Sequence, residues 1–194
     1  MSALALGRRS KFNVPTREYT LESQIDPRIE IRPSPIAGMG MFACAPIEKG
    51  EIVIVWGGIV MTKEDVEAGR YRKGTLSAIA ENLWLGDALD GEDYAADDTN
   101  HSCDPNLWMK DEVTLMARRR VAAGEELTAD YMMWEANEAY RAAWQCACGS
   151  PLCRRVITGR DWRLPELQEA YRNHFSPFLN ERIEKEIASS RACI

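Results

Sequence analysis

Histidine is scarce: the 194-residue sequence holds two, His101 and His174, and neither lies in a nucleophile motif. Ser-His-Asp chemistry is therefore not expected. Long apolar runs are missing as well. The longest opens at Ile52 to Val55 with Trp56 and falls far short of the ~20 residues a membrane span needs. No apolar core of signal-peptide length is present, because Arg8, Arg9 and Lys11 follow MSALALG directly. The expectation is a chain that stays in the reducing compartment where it is made, cytoplasmic, with a nuclear or host-delivered destination left open. Six cysteines are too few for a disulfide scaffold. Bases are outnumbered, 24 against 30 acids, for a net charge of −6. General affinity for a nucleic-acid backbone is not expected on that balance. Internal repeats and low-complexity tracts are absent.

What remains is an ordinary globular composition, 45% hydrophobic and 28% charged, which excludes disorder throughout. The length suits one domain with a tail or two very small ones. Residues 1–27 read as an irregular arm carrying Arg8, Arg9, Lys11 and Arg17 and no acid before Glu18. From Arg28 the pattern is short strands: RIEIR alternates with period two, and EIVIVWGGIV, LSAIAENLWLG, NLWM and EVTLMARRR continue it. A short helix is predicted from Thr62 with Asp65 as its capping-box partner. Others are predicted over about Glu135 to Trp144, from Pro165 toward His174, and over Leu179 to Ala188. Strands first and helices later argue an α+β fold, mostly β, rather than a doubly wound sheet.

Gly38-Met39-Gly40-Met41-Phe42-Ala43 matches the glycine pattern of dinucleotide sites. That mechanism needs a helix N-terminus straight after the glycines. Pro46 and Gly50 leave no room for one, so these glycines serve another close approach of backbone to a ligand. Cys146, Cys148 and Cys153 form C-x-C-x4-C. Small apolar filling is a poor account of two cysteines in three residues beside Gly-Ser-Pro. Three thiolates call for a fourth ligand to complete a structural zinc tetrahedron. Cys103, within NHSCDPN at 100–106, is the best candidate, with His101 as its competitor. Cys44 and Cys193 are expected to carry no ligand role.

Taken together, GMG at 38–40 with IEKGE at 47–51, NHSCDPN at 100–106, GEELTADY at 124–131 and CACGSPLC at 146–153 resemble the SET-domain protein lysine methyltransferases with a post-SET zinc loop. The resemblance spans about residues 28–157. It implies a SET fold of several small curved sheets around a pseudoknot, followed by C-terminal helices. The implied division is a SET domain at 28–133, a linker helix and zinc loop at 134–157, and a helical extension at 158–194. It implies S-adenosylmethionine as cofactor, with Gly38, Met39 and Gly40 lying against it and Asn100 and His101 contacting it, His101 chiefly by backbone. Tyr131 matches the channel tyrosine. Cys103, Cys146, Cys148 and Cys153 would hold the structural zinc. The implied reaction is methylation of lysine on a basic, histone-like or other lysine-rich protein, with no membrane or direct nucleic-acid partner.

The sequence departs from that family's pattern in two places. Ala129 stands two residues before Tyr131, where the family often has an aromatic ring, which predicts a roomier channel and more than one methylation. Asp97-Asp98-Thr99 replaces the usual Arg-Phe-hydrophobic run. These departures support the alternative of a non-catalytic SET-like module that binds a basic tail or the cofactor. Residues 81–98 carry Glu81, Asp87, Asp90, Glu92, Asp93, Asp97 and Asp98 and no base. They read either as a solvated loop or as a lure for a basic peptide. The apolar positions Leu167, Tyr171, Phe175, Phe178, Leu179, Ile183 and Ile187 would pack on the core or form a dimer contact.

Overall fold

The computed structural model describes residues 17–89, 98–135 and 137–192. Most of the predicted N-terminal arm, the acids Asp90, Glu92, Asp93 and Asp97, and Cys193 lie outside the described residues. In chain order the strands are β1 (Gln24–Ile25), β2 (Ile29–Pro33), β3 (Met39–Ala43), β4 (Ile52–Val55) and β5 (Ile59–Thr62). Helix α1 (Lys63–Glu67) precedes β6 (Ser77–Ala80), β7 (Leu83–Gly86), β8 (Asn100–His101), β9 (Leu107–Met109), β10 (Thr114–Ala117) and β11 (Glu126–Ala129). Helices α2 (Pro165–Ala170) and α3 (Pro177–Ala192) follow. The described strands form small sheets with orders β1-β4-β10-β9, β2-β3-β11-β8 and β5-β7-β6. The fold is α+β and mostly β.

Local chemistry accounts for the boundaries. Ile29 and Ile31 alternate with more exposed neighbours, so β2 turns one face to the core. Thr62 and Asp65 form the expected capping box, each side chain taking the other's backbone N–H. Pro165 opens α2, where its missing N–H costs nothing. β8 runs parallel to β11, pairing Asn100 with Thr128 and His101 with Ala129. That pairing sets the NHSC segment beside the ELTADY segment. The main core joins Met41, Ile54, Leu107, Leu115 and Leu127 of the strands to Trp162, Tyr171, Phe175 and Leu179. The C-terminal apolar positions therefore pack on the core, except Ile187, which is exposed. No helix among the described residues is long and apolar enough to cross a membrane.

The helix predicted over Glu135 to Trp144 does not form among the described residues. Its hydrogen bonds go elsewhere. Glu135 Oε1 accepts the Asn137 N–H at 2.7 Å, and Asn137 Oδ1 accepts the Ala139 N–H at 3.0 Å. Ala142 N–H reaches the Ile157 carbonyl at 3.0 Å, and Gly159 N–H reaches that of Tyr140 at 2.9 Å. Side-chain turns and long-range pairing win over an i to i−4 ladder. Helix α2 is shorter than expected, ending at Ala170, whereas α3 is longer.

Candidate functional site

Three stretches of chain meet at the glycine turn between β2 and β3. Gly38 has φ +47°, a left-handed conformation that suits glycine. Gly40 has no space for a side chain: a Cβ there would sit 2.4 Å from Glu126 Oε1, 2.9 Å from Ser34 Cβ and 3.0 Å from Asn100 Nδ2. Asn100 donates its amide to the carbonyls of Ala37 at 3.1 Å and Met39 at 2.9 Å, and to Glu126 Oε1 at 2.8 Å. Ser34 hydroxyl donates to the same carboxylate at 2.7 Å. The glycines lead into and lie within strand β3 rather than preceding a helix, which excludes the dinucleotide arrangement.

Tyr131 opens a 3-10 turn directly after β11. Asp130 caps that turn, its Oδ1 accepting the Met132 N–H at 3.1 Å. The Tyr131 phenol donates to the Thr99 carbonyl at 2.8 Å. Burial pushes its pKa up to about 12, so the hydroxyl is a neutral donor at ordinary pH. His101 packs edge-on at 5.1 Å between ring centres, and Trp134 lies at 5.6 Å. Burial, against the pull of Asp130, holds His101 neutral with a pKa of about 4. Its Nδ1 accepts the Tyr131 N–H at 3.4 Å, so Nε2 carries the proton and faces Cys103 Sγ at 3.4 Å.

The sulfurs of Cys103, Cys146, Cys148 and Cys153 all lie within 4.8 Å of one another. His101 is not in that group but stands behind Cys103. Thiolates held ~2.3 Å from a tetrahedral ion stand roughly 3.8 Å apart. Cys103 and Cys146 are 3.8 Å apart. Burial pushes the Cys103 thiol up to about 11 and raises that of Cys146. At Cys148 burial is outweighed by backbone N–H groups of Cys103 and Ser150, and its thiol is held down at about 7. A soft four-sulfur donor set, with Cys103 and Cys146 buried, Cys148 and Cys153 partly exposed and one thiol poised to ionise, fits a zinc ion. Cys44 lies exposed and outside that group.

Between the β6–β7 hairpin and the segment after Tyr131 lies a cavity of about 570 Å³. Trp56, Trp84, Trp134 and Trp144, four of the six tryptophans, line it with Thr99 and Tyr131. Gly38, Met39, Gly40, Asn100 and His101 are not among its walls; they adjoin it through Thr99 and Tyr131. The tryptophans and the buried Asp130 were not singled out from sequence. Tryptophan spacing gives no period to read, and Asp130 is one acid among thirty. Ala129 is fully buried on β11. The rings beside Tyr131 come from His101, Trp134 and Trp144 instead.

Residues 38–132 match the SET domain family. Histone-lysine N-methyltransferase trithorax of Drosophila virilis is 30% identical over 164 residues, covering 78% of this chain and 4% of that protein. Histone-lysine N-methyltransferase ash1 of Drosophila melanogaster is 32% identical over 142 residues, covering 67% of this chain and 6% of that protein. Among solved structures, Arabidopsis thaliana SUVH6 in complex with SAM superposes with a TM-score of 0.57 at 19% identity, over 68% of this chain and 33% of that one. The small sheets, the β8–β11 pairing and the matched residues define a SET fold. Residues 38–132 of the chain are a SET domain, and the chain spans a small fraction of the length of the curated relatives it matches.

Proposed function

We propose that this chain transfers methyl groups from S-adenosylmethionine to lysine side chains of a basic protein. One observation carries the reading: the Tyr131 phenol stands at the wall between an aromatic cavity and the cluster of glycine turn, Asn100 and His101. Resemblance to histone-lysine methyltransferases over the same residues supports it.

When bound, S-adenosylmethionine supplies a methyl group on a sulfonium, ready for in-line displacement. Gly38, Met39 and Gly40 would lie against it by backbone, with Asn100 and His101 completing the contact. The tryptophan-lined cavity takes the lysine. Free lysine has a pKa of ~10.4. Desolvation among rings lowers that value and favours the neutral amine that attacks. Tyr131 aims the reacting atoms as a neutral phenol. Alignment rather than a strong base carries the rate. Zinc on Cys103, Cys146, Cys148 and Cys153 would tie the 146–153 loop to the NHSC segment.

Of the acidic stretch before NHSC, Asp87 is already paired with Arg72 at 2.5 Å. Any lure for a basic peptide therefore rests on its neighbours. Incubation with radiolabelled cofactor, histones and mixed basic proteins tests the reading. Label on lysine is expected; a folded, metal-loaded protein that binds cofactor without transferring label is the non-catalytic module instead.

A further inference from the structure

Arg154 follows Cys153 directly, and it reaches two parts of the site at once. Its backbone N–H points at Cys103 Sγ, 3.4 Å away. Its guanidinium grips both oxygens of Asp130, at 2.6 and 2.8 Å. Asp130 is fully buried and caps the turn that starts at Tyr131. Tyr171, from the C-terminal segment, donates its hydroxyl to the same carboxylate at 3.2 Å. Arg154 Nε also lies 3.0 Å from Asp161 Oδ2, an ion pair without hydrogen-bond alignment. Arg155 has φ +62°, a strained left-handed conformation for a non-glycine residue. The chain turns sharply there, and the Arg155 carbonyl accepts the Cys146 N–H at 2.8 Å. A two-pronged charged contact to a buried carboxylate is both strong and geometrically specific. Removing one partner leaves a buried charge uncompensated.

We propose that Arg154 is a positioning residue that fastens the three-cysteine loop at 146–153 to the turn carrying Tyr131, with Tyr171 as the brace from the C-terminal segment. Closure of the cysteine loop and placement of the phenol then depend on one ion pair. The C-terminal segment becomes part of the site's scaffold rather than an appendage. The kinetic half of this proposal rests on the methyltransferase reading; the metal half does not.

The test uses zinc-loaded full chain carrying Arg154→Lys, Tyr171→Phe or both. Lysine keeps the charge but loses the fork. Phenylalanine keeps the ring and loses only the hydroxyl. For Arg154→Lys, zinc release to a chelator is expected to accelerate on the order of tenfold, and kcat to fall by a similar factor with KM nearly unchanged. Tyr171→Phe should move both readouts in the same direction by less. The double variant should be no worse than Arg154→Lys alone, since both act through Asp130. Folded variants with wild-type zinc release and kcat, or effects that multiply independently, overturn the proposal. If Arg154→Lys does not fold, Tyr171→Phe decides. If the wild-type chain transfers no methyl group, the functional reading fails while zinc release still tests the brace.

Discussion

Gly40→Ala is the sharpest perturbation of the glycine turn. The added methyl would stand 2.4 Å from Glu126 Oε1, 2.9 Å from Ser34 Cβ and 3.0 Å from Asn100 Nδ2. Relief to ordinary contact requires the carboxylate to move by roughly 1 Å, since unstrained carbon contacts begin near ~3.5 Å. That oxygen holds Ser34 hydroxyl at 2.7 Å and Asn100 amide at 2.8 Å, so both bonds stretch. Asn100 in turn pins the carbonyls of Ala37 and Met39. Overpacking of this kind costs about 1–3 kcal/mol, and a weakened hydrogen bond to a charged group adds about 1 kcal/mol or more. A total of about 3 kcal/mol lowers Tm by roughly 6–12 °C for a chain of this size. Calorimetry of the variant measures it, and titration with S-adenosylmethionine on the same sample is expected to show affinity down by at least about tenfold, because the turn itself has shifted. A variant within about 2 °C of wild type that binds cofactor normally refutes the reasoning, since it would mean that the three neighbours yield freely.

Tyr131→Phe removes the bond to the Thr99 carbonyl and the polar handle at the cavity wall; kcat should fall on the order of a hundredfold with cofactor affinity retained, and steady-state kinetics that leave kcat intact would reject the phenol's role. Because the folded phenol titrates at about 12 rather than 10, its neutral form favours the fold. That contribution is fully present below pH 10 and is lost as pH rises from 10 through about 12, so chemical denaturation should show stability falling across this window, less steeply in Tyr131→Phe. Elemental analysis should find one zinc per chain, and Cys148→Ser should lose it and lower Tm; a metal-free wild type of normal stability would contradict the four-sulfur site. Mass spectrometry of a substrate peptide should show more than one methyl group on the target lysine, since Ala129 adds no ring beside Tyr131; monomethyl product alone at completion would sink that expectation.

The short strands, the Thr62 cap, the Pro165 start and the grouping of Cys146, Cys148 and Cys153 were legible in the sequence because each depends on residues within a few positions of one another. The motifs NHSCDPN and GEELTADY likewise carry their own chemistry in order along the chain. What they touch could not be read that way. The helix predicted from Glu135 lost to pairing with residues 157–159, a competition between local propensity and distant partners that only the folded chain resolves. The four tryptophans of the cavity come from positions 56, 84, 134 and 144, on elements with no shared period. Cys103 meets Cys146 across 43 residues, and Arg154 meets Asp130 across 24. Local order follows from covalent neighbours and hydrophobic spacing. The cavity, the metal cluster and the buried ion pair depend on how β8 lies beside β11, and that pairing is a property of the whole packed core.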